Sequence, residues 1–443
     1  MKLKSIIVFL VCAAMVLSMV ACSPKTSGEP AKPAETAPKA DETGGATKGT
    51  PSGGKVTVDF WHSMSGATGE LLDSIIAQFN SEHDNIEVVG TFQGGYWEAA
   101  SKAQTAIAAG ENPDVLMMGA DHVSIFAQEE GLLEDLIPYM KKSGISPDDF
   151  VESLSWDYKI NGKMIAIPFG RSTPALYVNK DMLKEAGVEV PKTWDEMEQV
   201  CKVIVEGGYA EYGFAMPYDT WFVFMITAQY GGKFFNEDQT ALGCIEDGSL
   251  ERGLTMFQNM AKKKYMFYGP TDNSFNVCTG LFLDRGCAMV LASTGNLSGI
   301  ARDASFDFEL AFVPAGTVQT VPTGGNSLVM MAASDSKEEA WEFLRWLIQE
   351  EAGNATFVKG TGYLPTTYSM TEMPIIQEYW KQNPHAKTAF EQLKYATDPH
   401  RIPKVGETLN DILACMEAVM YDYEDVKASI NALNEAVKDI LAD

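Results

Sequence analysis

The chain runs to 443 residues, 46% of them hydrophobic, which is enough for two α/β domains with a core apiece. Its formal net charge of -26, from 60 acidic against 34 basic side chains, would repel nucleic acid and anionic membrane surfaces, so functions built on either are disfavoured. Setting aside Cys12 and Cys22, five of the seven cysteines remain, an odd number at wide spacings that argues against a disulfide framework or a zinc site. Cys278 with Cys287 is the one near pair, and no metal or cofactor is expected.

Lys2 and Lys4 precede an apolar run over residues 5–21 that is too short and too one-sidedly flanked for a membrane span, so residues 1–21 are expected to be a secretory signal. The run ends Leu17-Ser18-Met19-Val20-Ala21-Cys22. A small residue before the cysteine is what a lipoprotein signal peptidase needs, and Cys22 is the expected lipid attachment. Residues 22–55 are Pro, Ala, Gly, Thr, Lys and Glu with almost no large apolar side chain, and cannot bury a core. They form a tether whose root-mean-square span is on the order of 30 Å. The expected location is therefore extracytoplasmic, with contact to the cell membrane through the lipid anchor only.

From residue 56 the pattern alternates. Residues 56–61 predict a strand, and Leu72, Ile75, Ile76 and Phe79 then fall on one helical face. Residues 86–92 predict a second strand, 97–109 an Ala-rich helix stopped by Gly110, 115–118 a short buried strand, and 122–130 a helix ended by Gly131. This rhythm belongs to an open, mostly parallel sheet, where ligands sit beyond the carboxyl ends of the strands. The loops at 62–69, 94–97 and 119–124 are thus placed to meet one. Further on, residues 164–168 predict a strand that runs into a proline-flanked crossing over 169–174, followed by a strand over 175–178. A second α/β region continues through 194–205, 221–230, 250–263 and 287–291. After Pro322, residues 324–327 lead into a strand over 328–332 and a helix over 337–349. Val426, Ile430, Leu433, Val437 and Ile440 lay a last helix on a core.

Several blocks, taken together and in order, resemble the family 1 extracellular solute-binding proteins of ABC importers, and most of all their glycerol-3-phosphate and glycerophosphodiester branch. They are Phe60-Trp61-His62-Ser63-Met64, Pro168-Phe169 with Ser172-Thr173-Pro174, Tyr177 with Asn179-Lys180-Asp181, Pro191-Lys192-Thr193-Trp194, Gly324-Gly325 with Ser327-Leu328, and Thr361-Gly362-Tyr363-Leu364-Pro365. The resemblance implies a two-lobed, type II periplasmic-binding-protein fold, each lobe a mixed, mostly parallel sheet flanked by helices. It assigns 56–167 with 324–365 to one lobe and 168–323 with 366–443 to the other. It further implies a monomer that hands a small polar ligand to ABC permease subunits, closing on it by a hinge.

The same resemblance nominates ligand-binding residues. Tyr96 and Trp221 would cover the carbon faces of a sugar or glycerol, and Tyr363 is the strongest nominee. Ser172 and Ser293 would bond ligand oxygens, while Gly324 and Gly325 would bring backbone N–H groups close. Arg401 stands where the family grips phosphate with a guanidinium fork. Asp121 lies one residue from the register of a family glutamate. Arg171 occupies a place that is usually small and polar, and Ser65 and Ala67 replace carboxylates of the branch. A glycerol phosphate ester and a neutral oligosaccharide both fit this set. A secreted glycoside hydrolase is the alternative from another class, although no Gly-x-Ser-x-Gly, His-Glu-x-x-His or P-loop is present.

Overall fold

Val58, Phe60 and His62 alternate inward along the first strand while their neighbours stay half-buried, the period of two that a one-sided sheet strand requires. The computed structural model describes residues 54–129, 131–397 and 404–442. The signal segment, Cys22, nearly all of the tether, and Arg401 lie outside the described residues. In chain order the strands are β1 (Val56–His62), β2 (Ile86–Phe92), β3 (Val115–Gly119), the short pair β4 (Lys159–Ile160) and β5 (Lys163–Met164), β6 (Ile167–Ser172), β7 (Pro174–Asn179), β8 (Tyr212–Met216), β9 (Met266–Tyr268), β10 (Cys287–Ser293), β11 (Phe308–Ala311) and β12 (Gly324–Met330).

They build two mixed five-stranded sheets, ordered β2-β1-β3-β12-β6 and β11-β7-β10-β8-β9. In the first, β1 runs parallel to β2 and β3, and β12 lies antiparallel to β3 and β6. In the second, β8 runs parallel to β9 and β10, and β7 lies antiparallel to β10 and β11. The helix Gly66–Glu82 buries Leu72, Ile75, Ile76 and Phe79 against the first sheet, with Phe343, Leu344 and Leu347 of the helix Lys337–Gln349 in the same cluster. The C-terminal helix Val426–Ala442 buries Val426, Ile430, Leu433 and Val437 in the core of the second sheet.

Thr173 alone separates β6 in one sheet from β7 in the other. Its backbone N–H reaches Thr294 Oγ1 at 3.3 Å, its hydroxyl donates to the Pro322 carbonyl at 3.0 Å, and its carbonyl accepts from the Thr294 N–H at 3.0 Å. Fully buried Gln392 ties the same region, donating to the Pro174 carbonyl at 2.6 Å and accepting from Val313 N–H at 2.8 Å. The crossing is therefore stitched by side chains rather than left as a free linker.

Two local readings need correction. The strand expected over 164–168 lies instead at Ile167–Ser172, so residues 169–172, expected as part of the crossing, are fully buried strand backbone at the edge of the first sheet. Gly170 and Arg171 are accommodated there because Asn326 Oδ1 accepts from Gly170 N–H at 3.1 Å and the Arg171 guanidinium donates to the Tyr158 hydroxyl at 2.8 Å. The pairing of β6 also keeps residues 168–172 with the first sheet, where the sequence reading had begun the second lobe. The bridge considered between Cys278 and Cys287 is not formed: both thiols are free and fill core space in one apolar cluster, where burial pushes their pKa up and leaves them unreactive.

Candidate ligand-binding cleft

The β12 entry is built from two glycines for two separate reasons. Gly325 has φ +91°, and a Cβ there would stand 2.0 Å from the Gly170 carbonyl oxygen. Gly324 lies under the Trp221 indole, where a Cβ would meet the ring at 3.0 Å. The opposite wall repeats the device, since a Cβ on Gly295, just past β10, would meet the Tyr363 ring at 2.9 Å. Each side of the molecule thus lays an aromatic ring on a glycine of the other side, and between them opens a cavity of about 530 Å³. Trp221 also donates its indole N–H to the Thr323 carbonyl at 3.3 Å, which fixes the ring.

Tyr96 is oriented from behind. Asn326, fully buried on β12, donates to the Tyr96 hydroxyl at 3.1 Å, and the Tyr96 and Tyr363 hydroxyls share a hydrogen bond. Burial pushes both phenols above the usual tyrosine range, so they face a ligand neutral. Ser293 Oγ accepts from Gly295 N–H at 3.1 Å, which caps the turn and leaves its own proton free to donate.

Charge in the cavity is unevenly placed. Asp121 follows β3 and Asp219 precedes the helix Thr220–Gln229, so the carboxylates come from elements packed on different sheets and both line the cavity. Asp219 caps its helix by accepting from Trp221 N–H at 2.8 Å, and desolvation, opposed by that bond and assisted by Asp121, pushes its pKa up to about 6. Desolvation likewise raises Asp121, and the Arg171 guanidinium pulls it back, an effect tempered by solvent because Asp121 stands exposed at the cavity surface. Arg171 itself is 1% exposed and makes no ion pair among the described residues. It donates to Tyr158 and, at 3.4 Å, to Thr323 Oγ1, while its Nε finds no partner. His122 beside Asp121 is buried, packs edge-on against Trp97 at 4.2 Å between ring centroids, and has neither ring nitrogen bonded. No group of three or more His, Cys, Asp or Glu among the described residues is placed to hold a metal ion.

A cleft that two lobes close from opposite sides, polar at the back and aromatic at the walls, suits capture of a small hydroxylated solute. The model of the bacterial extracellular solute-binding protein family matches residues 74–388. The chain belongs to this family. The sn-glycerol-3-phosphate-binding periplasmic protein UgpB of Escherichia coli strain K12 is 28% identical over 359 residues, covering 76% of this chain and 80% of that protein. Its counterpart in Pectobacterium atrosepticum is 28% identical over 358 residues, covering 76% and 79%. Among solved structures, UgpB from Mycobacterium tuberculosis in complex with glycerophosphocholine matches with a TM-score of 0.78 at 27% identity, covering 88% of this chain and 99% of that one. The GacH receptor of Streptomyces glaucescens, solved unliganded and with acarbose, shares the fold at a TM-score of 0.78 and 22% identity, covering 87% and 98%. The chain is thus a two-lobed, type II solute-binding protein of the ABC-import class.

In this solute-binding protein, Tyr96, Asp121, Ser172, Trp221, Ser293, Gly324, Gly325 and Tyr363 all line the one cavity, and Arg401 lies outside the described residues. The sequence reading missed Asp219, His122 and Thr323 in the lining and Asn326 behind it. Asp219 carried a signal that could have found it: an acidic residue directly before an aromatic helix is an N-cap, and helix starts in such sheets face the ligand. Asn326 carried none, because only the bulge that bends β12 between Gly325 and Ser327 turns it toward Tyr96.

Proposed function

We propose that this protein captures a glycerol phosphate ester in the cleft and delivers it, unchanged, to the permease of an ABC importer. The observation that carries the reading is the cavity walled by Trp221 over Gly324 and Tyr363 over Gly295, with Tyr96 held by Asn326, in a chain resembling the UgpB proteins along most of its length. The rings fit the carbon face of glycerol, the serine hydroxyls and backbone N–H groups fit its oxygens, and Arg401 supplies positive charge for phosphate. The nominated residues act as ligand contacts, the two lobes meet at Thr173, and the protein works as a monomer anchored outside the cytoplasm through Cys22. No helix among the described residues is long and apolar enough to cross a membrane, which is compatible with that anchor. The protein acts without altering its guest.

A second reading, a neutral oligosaccharide, is favoured by the ring-walled cleft and by structural neighbours solved with sugars, such as the Listeria monocytogenes protein Lmo0181 in complex with cycloalternan. A thermal-shift screen of the purified protein against sn-glycerol-3-phosphate, glycerophosphocholine and a panel of oligosaccharides separates them, because a ligand that binds only the folded state raises the midpoint by mass action. The expected result is a selective rise of several degrees with a phosphate ester, lost in Arg401→Ala. A rise with oligosaccharides alone contradicts it.

A further inference from the structure

Three passages of the chain between the two sheets meet at one residue. Thr173 makes the first, and Pro322 with Thr323 leads from Val321, in the core of the second sheet, into β12 of the first. The third runs from Phe357, in the core of the first sheet, to Leu364, which packs with Tyr177 of β7. Arg171 lies on β6 just before the first passage. Its guanidinium donates to Thr323 Oγ1 at 3.4 Å on the second, and its carbonyl accepts from Leu364 N–H at 2.8 Å on the third.

Stability alone is a poor reason to bury a cation there. Among the described residues the guanidinium bonds two neutral hydroxyls, those of Thr323 and Tyr158, and leaves Nε without a partner. Desolvating a charge for two such bonds contributes little to the folded state. What the arrangement supplies is position. The Thr323 carbonyl accepts from the Trp221 indole N–H at 3.3 Å, and that ring lies over Gly324 in the cavity wall. Pro322 beside it is pinned through its carbonyl by the Thr173 hydroxyl at 3.0 Å, and Tyr158 accepts from Ser327 Oγ on β12. A hydrogen-bonded chain thus runs from the first sheet through Tyr158, Arg171 and Thr323 to a ring on the helix Thr220–Gln229, whose Phe222 and Ile226 pack in the core of the second.

We infer that Arg171 is a positioning residue, which acts through Thr323 to hold the Trp221 ring where a ligand meets it and ties that ring to the passages about which the lobes close. The planar fork is essential to this role, because one group reaches Tyr158 and Thr323 at once and an ammonium does not. Since the chain of bonds spans both sheets, moving one sheet against the other strains it, and the placement of the ring and the closure of the lobes become one equilibrium. The inference holds for any polar solute that packs against Trp221. Its rival is a charge acting through space on the Asp121 carboxyl and the Tyr96 phenol, an effect that a lysine would preserve.

The test is fluorine NMR of the protein labelled with 5-fluorotryptophan, comparing the native chain with Arg171→Met, Arg171→Lys and Thr323→Val. Trp221→Phe, Trp194→Phe and Trp346→Phe assign the resonances. Thr323→Val keeps the carbonyl and removes the hydroxyl that Arg171 bonds, so it breaks the chain even if an Arg171 variant does not fold. All three substitutions are expected to shift or broaden the Trp221 resonance, while those of Trp194 and Trp346, buried in the two separate cores, stay in place. Calorimetric titration with sn-glycerol-3-phosphate should show each variant weakened at least about fivefold, with Arg171→Lys no closer to native than Arg171→Met. An unmoved Trp221 resonance in Thr323→Val, a native resonance in Arg171→Lys, or native affinity in all three variants overturns the inference. Failure of the native protein to bind the ester contradicts the function proposed above, and the fluorine spectra then decide the inference by themselves.

Discussion

His122 and Asp219 line one cavity, and burial drives their protonation equilibria toward opposite effects on stability. His122 falls from 6.5 to about 4, so between those values the unfolded chain holds more protons and stability rises with pH. Asp219 climbs from 3.8 to about 6, so across that window the native state holds more protons and stability falls as pH rises. Each shift is worth at most about 3 kcal/mol, less for the partly exposed Asp219, and over roughly pH 4 to 6 the two offset. Urea unfolding of Asp219→Asn should show stability rising with pH across this window more steeply than in the native protein. His122→Gln should show a flatter or inverted profile. Profiles for both variants that parallel the native one would contradict the assignment. Such side chains were only partly legible in advance. Tyr363 could be nominated because ring chemistry and a motif block coincide on it, whereas Tyr96 and Trp221 lie outside the blocks and were nominated residue by residue; all three line the cavity. Arg171 was visible only as an anomaly, because a sequence does not say that Tyr158 and Thr323 will enclose a guanidinium.

Between elements, the pairing of β12 with β6 is what sets Gly324 and Gly325 in the cavity wall. The bulge after Gly325 needs both its positive φ and the absence of a side chain, since a Cβ would stand 2.0 Å from backbone oxygen that cannot swing away. Gly325→Ala should therefore cost about 3 kcal/mol or more. Gly280→Ala, inside the helix Ser274–Leu283 with nothing within 4 Å of the new methyl, should stabilise by up to about 1 kcal/mol. Thermal denaturation of the pair checks this, and equal small effects would remove the bulge from the account. Periodicity read the long amphipathic helices well: the helix Lys337–Gln349 has the bounds its apolar pattern predicts. It failed at β6, where Phe169, Gly170, Arg171 and Ser172 read as the crossing beyond the strand. Asn326, far away in the chain, and Tyr158, 13 residues before Arg171, support their strand conformation, and no local pattern encodes it.

For the molecule as a whole, the two-lobed plan was legible because the motif blocks recur in order along the chain, each too weak alone. The pairing of strands distant in sequence was not, and neither was the approach of Asp121 to Asp219. That approach raises the stakes of the central claim, because two carboxylates across a cleft, one of them titrating near 6, are also what a hydrolase would use. A binding protein gains free energy by clamping its guest and releases the same molecule. The most direct measurement is phosphorus and proton NMR of glycerophosphocholine incubated with the purified protein and then recovered from it. The account predicts saturable uptake of one ligand per chain and recovered spectra identical to the starting ester. A new phosphorus resonance that grows with time and protein concentration, or no saturable uptake at all, would contradict it.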